Sequence, residues 1–258
     1  MGVTATIITG GARGIGLATA RRLGPEGHRL VIADLDRAAA ASAADGLIGE
    51  GFNCSAETVD VTDPDECEGM AARVADSHGG IRALVNCANI AIYGPSETLP
   101  PPEWQRQVDV ALSGLFYVTQ AAARRMIPAG GGAIVNIASV GGMGGWPMRQ
   151  AYNAAKAGVI NLTELLATEW GPVGVRVNAI SPGVTRTEMM VDAIRQGVAS
   201  EEKYVKRIPF GRLARPEEQA SAIAFLLSDR ASGVTGVNLR VDGGWVAWVS
   251  PDGTGFPE

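Results

Sequence analysis

Two histidines, His28 and His78, are all that the 258-residue chain contains. Both fall near the ends of predicted elements, which leaves no basis for a histidine-centred catalytic triad. Cysteine is almost as scarce. Cys54, Cys67 and Cys87 form no CxxC pair and no Cys/His cluster, and an odd, unpatterned set supports neither a disulfide framework nor a zinc site, so no metal is expected. Lys and Arg number 22 against 27 Asp and Glu, a formal charge of −5. No basic run is long enough to track a phosphate backbone, and nucleic acid is not an expected partner. No segment approaches 18 consecutive apolar residues, so no membrane-spanning helix is expected. The N-terminus enters a strand-like run almost at once, without the basic stretch and apolar core of a signal sequence. A reducing, cytoplasmic setting follows as the expectation, with a small molecule as the substrate.

What the chain does have is a 46% share of hydrophobic residues beside 19% charged ones, enough to bury a sizeable core. Strand-like runs recur at Thr4–Thr9, Arg29–Ala33, Asn53–Val59, Ala83–Asn86, Ala133–Ala138, Arg176–Ile180 and Asn238–Val241. Helical patterns lie between them, at Gly14–Leu23, Arg37–Gly49, Asp63–Ser77, Glu103–Met126, Ala151–Trp170 and Pro216–Ser228. Asp63-Pro64 reads as an N-cap with a first-turn proline, and Gly79-Gly80 as the stop of that helix. Continuous Val/Ile/Leu strands spaced by helices predict a parallel sheet of seven strands covered on both faces. The expected fold is a single doubly wound, Rossmann-type α/β domain over residues 1–258, with its ligand at the carboxyl ends of the strands. Only residues 184–210 break the alternation. They are expected to be largely helical and to form a flap over the site, the alternative being an ordinary surface excursion.

The first strand runs into Thr9-Gly10-Gly11-Ala12-Arg13-Gly14-Ile15-Gly16 and then a helix. Gly10 suits a tight turn, Gly14 lets main chain approach a pyrophosphate, and Gly16 lets the helix pack against the sheet. Such a pattern is weak alone; its place between strand and helix, with Asp34 about twenty residues on, gives it weight. A carboxylate at the end of the second strand accepts from an adenosine ribose and repels a 2′-phosphate, which favours NAD. Arg13 and Arg37 pull toward a phosphate, and Asp34 has an alternative role as N-cap of the next helix.

Tyr152-Asn-Ala-Ala-Lys156 places a phenol and an ammonium on one helical face, and Ser139 stands thirteen residues upstream at a strand end. The ammonium is expected to lower the tyrosine pKa below its usual value of about 10. A tyrosine so tuned moves a proton between an alcohol and a ketone, with Ser139 donating to the substrate oxygen.

With these residues in place the chain resembles the short-chain dehydrogenase/reductase family, from TGGARGIG at 9–16 to Val241-Asp242-Gly243-Gly244. Asp60-Val61, the NCAN segment at 86–89, Ser139, YNAAK and Ser181-Pro182-Gly183 match in order. The resemblance implies a nicotinamide-dependent alcohol or ketone oxidoreductase and a homotetramer. It assigns the cofactor to Gly10, Arg13, Gly14, Ile15 and Gly16, to Asp34, and to Asp60 and Val61 beside the adenine. Asn86 and Ala88, then Pro182 and Gly183, would line its path. Val184 would meet the carboxamide, Thr187 the phosphates, and Tyr152 and Lys156 the nicotinamide ribose. Two positions depart from the family pattern. Asn89 stands where a glycine is usual, and Asn is the side chain best able to keep a left-handed backbone there. Ala111 stands at the asparagine of the usual catalytic tetrad, whose main-chain carbonyl helps hold a water that links the lysine to solvent.

Substrate contacts are expected from Gly141 and its neighbouring glycines, which leave space, from Trp146 as a wall, from Ile90–Gly94, and from Met189 on the flap. Arg149, one turn before Tyr152, is a candidate for a substrate carboxylate, by likeness to the basic residue so placed in some hydroxy-acid members of the family. The alternative is an arginine at solvent or a subunit interface. The apolar tail at 245–258, with Trp245 and Trp248, is expected to pack across a subunit boundary or to cover a pocket. The leading reading is oxidation or reduction of a polyol, sugar derivative or hydroxy acid. A dinucleotide-binding regulatory protein, and an epimerase or dehydratase on the same fold, are the alternatives.

Overall fold

The computed structural model describes residues 4–195, 197 and 199–248. Seven strands form one sheet: β1 (Ala5–Thr9), β2 (Arg29–Asp34), β3 (Cys54–Thr58), β4 (Ile81–Asn86), β5 (Gly132–Ile137), β6 (Val175–Pro182) and β7 (Asn238–Val241). Their spatial order is β3-β2-β1-β4-β5-β6-β7, with every neighbouring pair parallel. The chain therefore winds outward from β1 to β3, then returns to place β4 on the other side of β1. That reversal opens a crevice at the carboxyl ends of β1 and β4, where doubly wound folds take their ligands.

Helices cover both faces because each inner strand is apolar on both. In β1, Ile7 packs into the layer under α3 (Pro64–His78), α5 (Leu115–Met126) and α6 (Gln150–Trp170), while Ile8 points into the layer under α1 (Gly14–Leu23), α2 (Arg37–Gly49) and α9 (Pro216–Leu227). Period-two alternation thus feeds two cores at once. Helix α3 begins as its sequence demands: Asp63 accepts from the N–H groups of Asp65 (2.8 Å) and Glu66 (3.2 Å), and Gly79 ends it at φ +70.

The single helix expected over Glu103–Met126 is interrupted. Helix α4 (Pro101–Val108) passes into a π-helical turn at Asp109–Gly114 before α5 begins. The wide turn closes at Gly114, where a Cβ would lie 2.8 Å from Val61. Wide turns of this kind occur often at functional sites, and this one contains the fully buried Ala111.

Between β6 and α9 the excursion at 184–210 carries two short helices, α7 (Glu188–Arg195) and α8 (Glu201–Val205). It has its own apolar centre, in which Val184, Ile208 and Leu213 are buried against Trp146, Met190, Tyr204 and Trp245. The tail turns back into this cluster: Trp245 stacks on Trp146 with ring centroids 5.4 Å apart. Within the chain Trp245 thus packs on Trp146 and Tyr204. Residues 249–258 lie outside the described part.

A buried polar ladder ties the centre of the sheet to the helices over it. Asn86 of β4 donates to Thr119 of α5 (2.8 Å) and to Asn136 of β5 (2.9 Å), and Asn136 donates to Thr163 of α6 (3.0 Å). All four side chains are almost wholly buried. Replacing Asn136 by Ala removes two bonds and strands buried partners. It is expected to cost about 2–4 kcal/mol in a denaturant titration; a cost under about 0.5 kcal/mol would show that the ladder is dispensable.

Candidate active site

The loop after β1 is shaped by contact. Gly10 has φ +59, and a Cβ on it would lie 2.8 Å from the main chain of Ala88. A Cβ on Gly16 would lie 2.4 Å from the Gly10 carbonyl, so α1 must start hard against the turn that precedes it. That start is bare. Arg13 occupies the N-cap position without a side-chain cap, and no acidic residue stands in the first turn. Unpaired N–H groups at the positive end of a helix suit an anion.

Asp34, at the end of β2, leans over this turn and accepts from the N–H of Ala12 at 3.4 Å and of Asp36 at 3.2 Å. The N-cap of α2 is Asp36, which accepts from Ala39 N–H at 3.0 Å, so the capping role considered for Asp34 is already filled. Arg13 reaches toward Asp36 at 3.8 Å, and Arg37 donates to Thr58 Oγ1 at 3.4 Å. Asp60 accepts from both N–H and Oγ1 of Thr62.

One cleft of about 600 Å³ gathers most of the residues singled out by sequence. Gly10, Arg13, Gly14, Ile15 and Gly16 line it together with Asp34, Asp60, Val61 and Ala88. Pro182, Gly183, Val184 and Thr187 enter from β6 and the excursion, and Ser139, Tyr152 and Lys156 from β5 and α6. Trp146, Arg149 and Met189 line the same space, as do Ile90, Ala91 and Tyr93. The Val184 carbonyl already accepts from Ala214 N–H at 2.9 Å. A separate groove of about 670 Å³ between α1, α7 and α9 shares Gly14, Thr187 and Glu188 but holds none of the proton-transfer candidates.

Several expected lining residues fall elsewhere, Ile92 and Gly94 among them. Asn86 is consumed by the polar ladder, and its buried side chain does not reach the cleft. Gly141 leaves no space: a Cβ there would lie 2.8 Å from Asn153 Oδ1 and 3.4 Å from Ser139 Oγ. It works from beneath, its N–H donating to Ser139 Oγ at 3.0 Å. Gly142 is packed against the Lys156 main chain, whereas Gly144 and Gly145 face open space. Asn89 does line the cleft, but not in the left-handed conformation foreseen for it; among the described residues Met148, at φ +66, is the non-glycine with positive φ.

The electrostatics also depart from expectation. Burial pushes the Tyr152 pKa up, outweighing the hydrogen bond from Ser139 that pulls it down. The Lys156 ammonium stands 5.9 Å from the phenol ring centroid and does not reverse that balance. Lys156 is itself 2% exposed, donates to the Ile137 carbonyl at 2.7 Å, and has its pKa lowered by burial to about 8. Cys87, which sequence did not single out, shares the cleft and is pushed up to about 12 by burial. Tyr204 was equally unforeseen; its contacts with Trp146 and Trp245 join segments far apart in the chain.

Comparison with known proteins gives one answer. A family model described as enoyl-(acyl carrier protein) reductase matches residues 10–246. The chain is 40% identical over 244 residues to D-threitol dehydrogenase of Mycolicibacterium smegmatis, covering 93% of this chain and 91% of that one. It is 41% identical over 245 residues to cis-4-hydroxycyclohexanecarboxylate dehydrogenase of Sinomonas cyclohexanicum, covering 93% and 96%. A crystal structure of a variant actinorhodin polyketide ketoreductase with NADPH superposes with a TM-score of 0.91 at 32% identity, covering 95% and 98%.

The lowered lysine pKa has a stability consequence. Below pH 8 Lys156 is protonated in folded and unfolded chains alike, and burying the ammonium destabilises the fold. Between about pH 8 and 10.5 the folded chain binds fewer protons, so that cost is relieved as pH rises. The stability of Lys156→Met relative to the parent should therefore fall by up to about 3 kcal/mol between pH 7 and 10.5. Urea titrations of the two proteins across that range measure it, and a pH-independent difference would contradict it.

Proposed function

The chain belongs to the short-chain dehydrogenase/reductase family, and on that premise we propose that it is an NAD-dependent oxidoreductase interconverting a secondary alcohol and its ketone. The substrate class is a polyol, a sugar derivative or a hydroxy acid. The observation that carries the reading is the meeting of Ser139, Tyr152 and Lys156 in the same cleft as the bare start of α1 and Asp34.

These residues fit a dinucleotide. The N–H groups at the start of α1 would take its diphosphate, with Thr187 close by. Asp34 would accept from the adenosine ribose, and Asp60 and Val61 would flank the adenine. Lys156 would hold the nicotinamide ribose, and the N–H of Val184 would meet the carboxamide. Bound there, the nicotinamide supplies an acceptor for the hydride leaving the carbinol carbon, or a donor in the reverse direction. Similarity to a ketoreductase crystallised with NADPH leaves the cofactor open. The preference for NAD rests on Asp34 and on the exposed Leu35 beside it, which offers a 2′-phosphate no positive charge.

Proton movement falls to this chain's own side chains. In oxidation the alcohol O–H bond breaks and its proton passes to Tyr152 Oη as the phenol's own proton leaves toward Lys156, while the hydride leaves the carbon. Ser139, its oxygen fixed by Gly141 N–H, turns its own O–H toward the substrate oxygen and steadies the charge there. Lys156, with a pKa of about 8, changes charge readily near working pH and relays the proton onward. Ala111 retains the main-chain carbonyl of the π-helical turn, so the exit of that relay keeps its scaffold. By family likeness the enzyme works as a homotetramer, and its few, unpatterned cysteines suit a reducing, cytoplasmic setting.

Tyr152→Phe tests the chemistry. Turnover of a secondary alcohol should fall by about 10²–10⁴-fold while NAD affinity, read by calorimetry, stays within about twofold; undiminished turnover would sink the mechanism. Asp34 is tested by cofactor choice. A carboxylate about 6 Å from a 2′-phosphate at an effective dielectric near 20 gives a preference for NAD of roughly 10²-fold. Equal kcat/KM for NAD and NADP in the parent protein would overturn the assignment.

A further inference from the structure

Asn89 carries an amide that the chain leaves unused. Among the described residues five side-chain amide oxygens are buried without a partner, those of Asn86, Asn89, Gln150, Asn153 and Gln219. In the other four the amide nitrogen is engaged. Asn86 donates to Thr119 and Asn136, Gln150 to the Pro95 carbonyl, Asn153 to the Trp146 carbonyl and Gln219 to the Val241 carbonyl. The Asn89 carboxamide makes neither kind of bond among the described residues, and of the five it alone lines the cleft.

The main chain that carries it is pinned on both sides. Before it, Cys87 N–H donates to the Thr9 carbonyl at 3.1 Å, and Ala88 N–H to Thr9 Oγ1 at 3.3 Å. After it, the wholly buried Gln107 grips the chain at two points. Its Nε2 donates to the Ile90 carbonyl and its Oε1 accepts from Ile92 N–H, both at 2.9 Å. A segment so fixed presents its side chain from a constant place. Because Asn89 lacks a positive φ, its backbone gives no reason for asparagine there, and the reason must lie in the side chain. The segment leads from Ala88, against the glycine turn, to Tyr93, whose ring lies 4.6 Å from the Arg149 guanidinium. Cys87, two residues before Asn89, feels the charge of Lys156. Asn89 therefore stands on the stretch that joins the cofactor turn to the reacting end of the cleft.

The amide dictates the chemistry of its partner. A buried carbonyl oxygen with no donor is costly, and an O–H or N–H relieves it. The terminal torsion of asparagine has a broad potential, so the amide can turn either atom to the cleft. A hydroxyl answers both orientations, donating to Oδ1 or accepting from Nδ2, whereas a ketone or carboxylate only accepts. In the proposed reaction Ser139 and Tyr152 meet the reacting oxygen, and Lys156 holds the nicotinamide ribose. The hydroxyl left for Asn89 belongs to the substrate.

We propose that Asn89 is a hydroxyl seat, and that the substrate carries a second hydroxyl, on a carbon near the reacting one, which binds there. The inference rests on the hydride-transfer reading and narrows its substrate class to polyols and sugar derivatives. A simple alcohol of the same skeleton lacks that anchor and binds more weakly.

The test is binding without turnover. Protein saturated with NADH is titrated in a calorimeter with cyclohexanol and with cis- and trans-cyclohexane-1,2-diol, which add one hydroxyl to it. The better diol should bind at least about fivefold more tightly than cyclohexanol. That preference should fall below about twofold in Asn89→Leu, which keeps the bulk, and in Asn89→Gly. The glycine variant carries the residue usual in the family, so it keeps the seat open to measurement if the leucine variant misfolds. NADH affinity should stay within about twofold of the parent value in both. Equal binding of diol and alcohol, binding of neither, or a preference that survives both substitutions overturns the seat. A loss of NADH affinity with the diol preference intact gives the amide to a ribose hydroxyl and overturns the substrate assignment. Because no chemistry is involved, each such failure is distinct from failure of the hydride-transfer reading, which Tyr152→Phe reads separately by turnover.

Discussion

The ladder from Asn86 through Asn136 to Thr163 fixes the geometry on which the rest of the site depends. It runs through the middle of the sheet, where water cannot compensate for a broken bond, so its members must stay in register. Asn136 stands three residues before Ser139 on β5, and Thr163 lies two turns beyond Lys156 on α6. Their hydrogen bond at 3.0 Å therefore locks the strand that delivers the serine to the helix that delivers the tyrosine and lysine. Asn86 ties the same pair to β4, whose next residues, Cys87 and Ala88, form the floor of the cleft. An apolar core of similar volume would hold these elements together but would not dictate which residue faces which.

Within that frame, burial sets the electrostatics. The same loss of water that raises the Tyr152 pKa lowers that of Lys156 to about 8. Each shift favours the neutral form of its own group, so proximity of the two is not enough to make a phenolate. The lysine's hydrogen bond to the Ile137 carbonyl orients the ammonium without neutralising it. On the proposed reading, activation of the tyrosine would depend on what else enters the cleft, since a substrate oxygen and ribose hydroxyls would add donors that the protein alone does not supply. A pair whose members both resist ionisation when alone is suited to giving and taking one proton, which is what a reversible reaction asks of it.

The two halves of the cleft were unequally legible in the sequence. The cofactor half was readable because it is built from main chain: Gly10 and Gly16 are required by contacts of 2.8 and 2.4 Å that a Cβ would violate, and a glycine so constrained leaves a local trace. Strands and helix starts were readable for a like reason, as with Asp63-Pro64 capping α3. The π-helical turn at Asp109–Gly114 left no trace, since the apolar pattern of α4 and α5 runs through it and only packing of Gly114 on Val61 marks it. Asn86 was assigned to the lining because motif position says where a residue stands and not which way it faces, and Gly141 because a missing side chain suggests space that the packing of Asn153 in fact fills. The sign of the tyrosine shift was misjudged because spacing reveals a neighbouring charge but not the depth of burial.

In the substrate half, sequence placed Trp146, Arg149 and Met189 on the wall but could not show how that wall is assembled, and that follows from how it is made. Trp146, Tyr204 and Trp245 lie on three segments separated by about 40 residues or more, and none belongs to a repeating pattern that implies contact with the others. Their mutual stacking costs ordering entropy in the excursion, offset by apolar burial around Val184, Ile208 and Leu213. A wall assembled in this way is held by side chains alone, so single substitutions can reshape it without disturbing the sheet, the glycine turn or the proton-transfer residues. The cofactor half lacks that freedom, because changing it means moving main chain. One chemistry can thus be retained while the molecule it acts on changes.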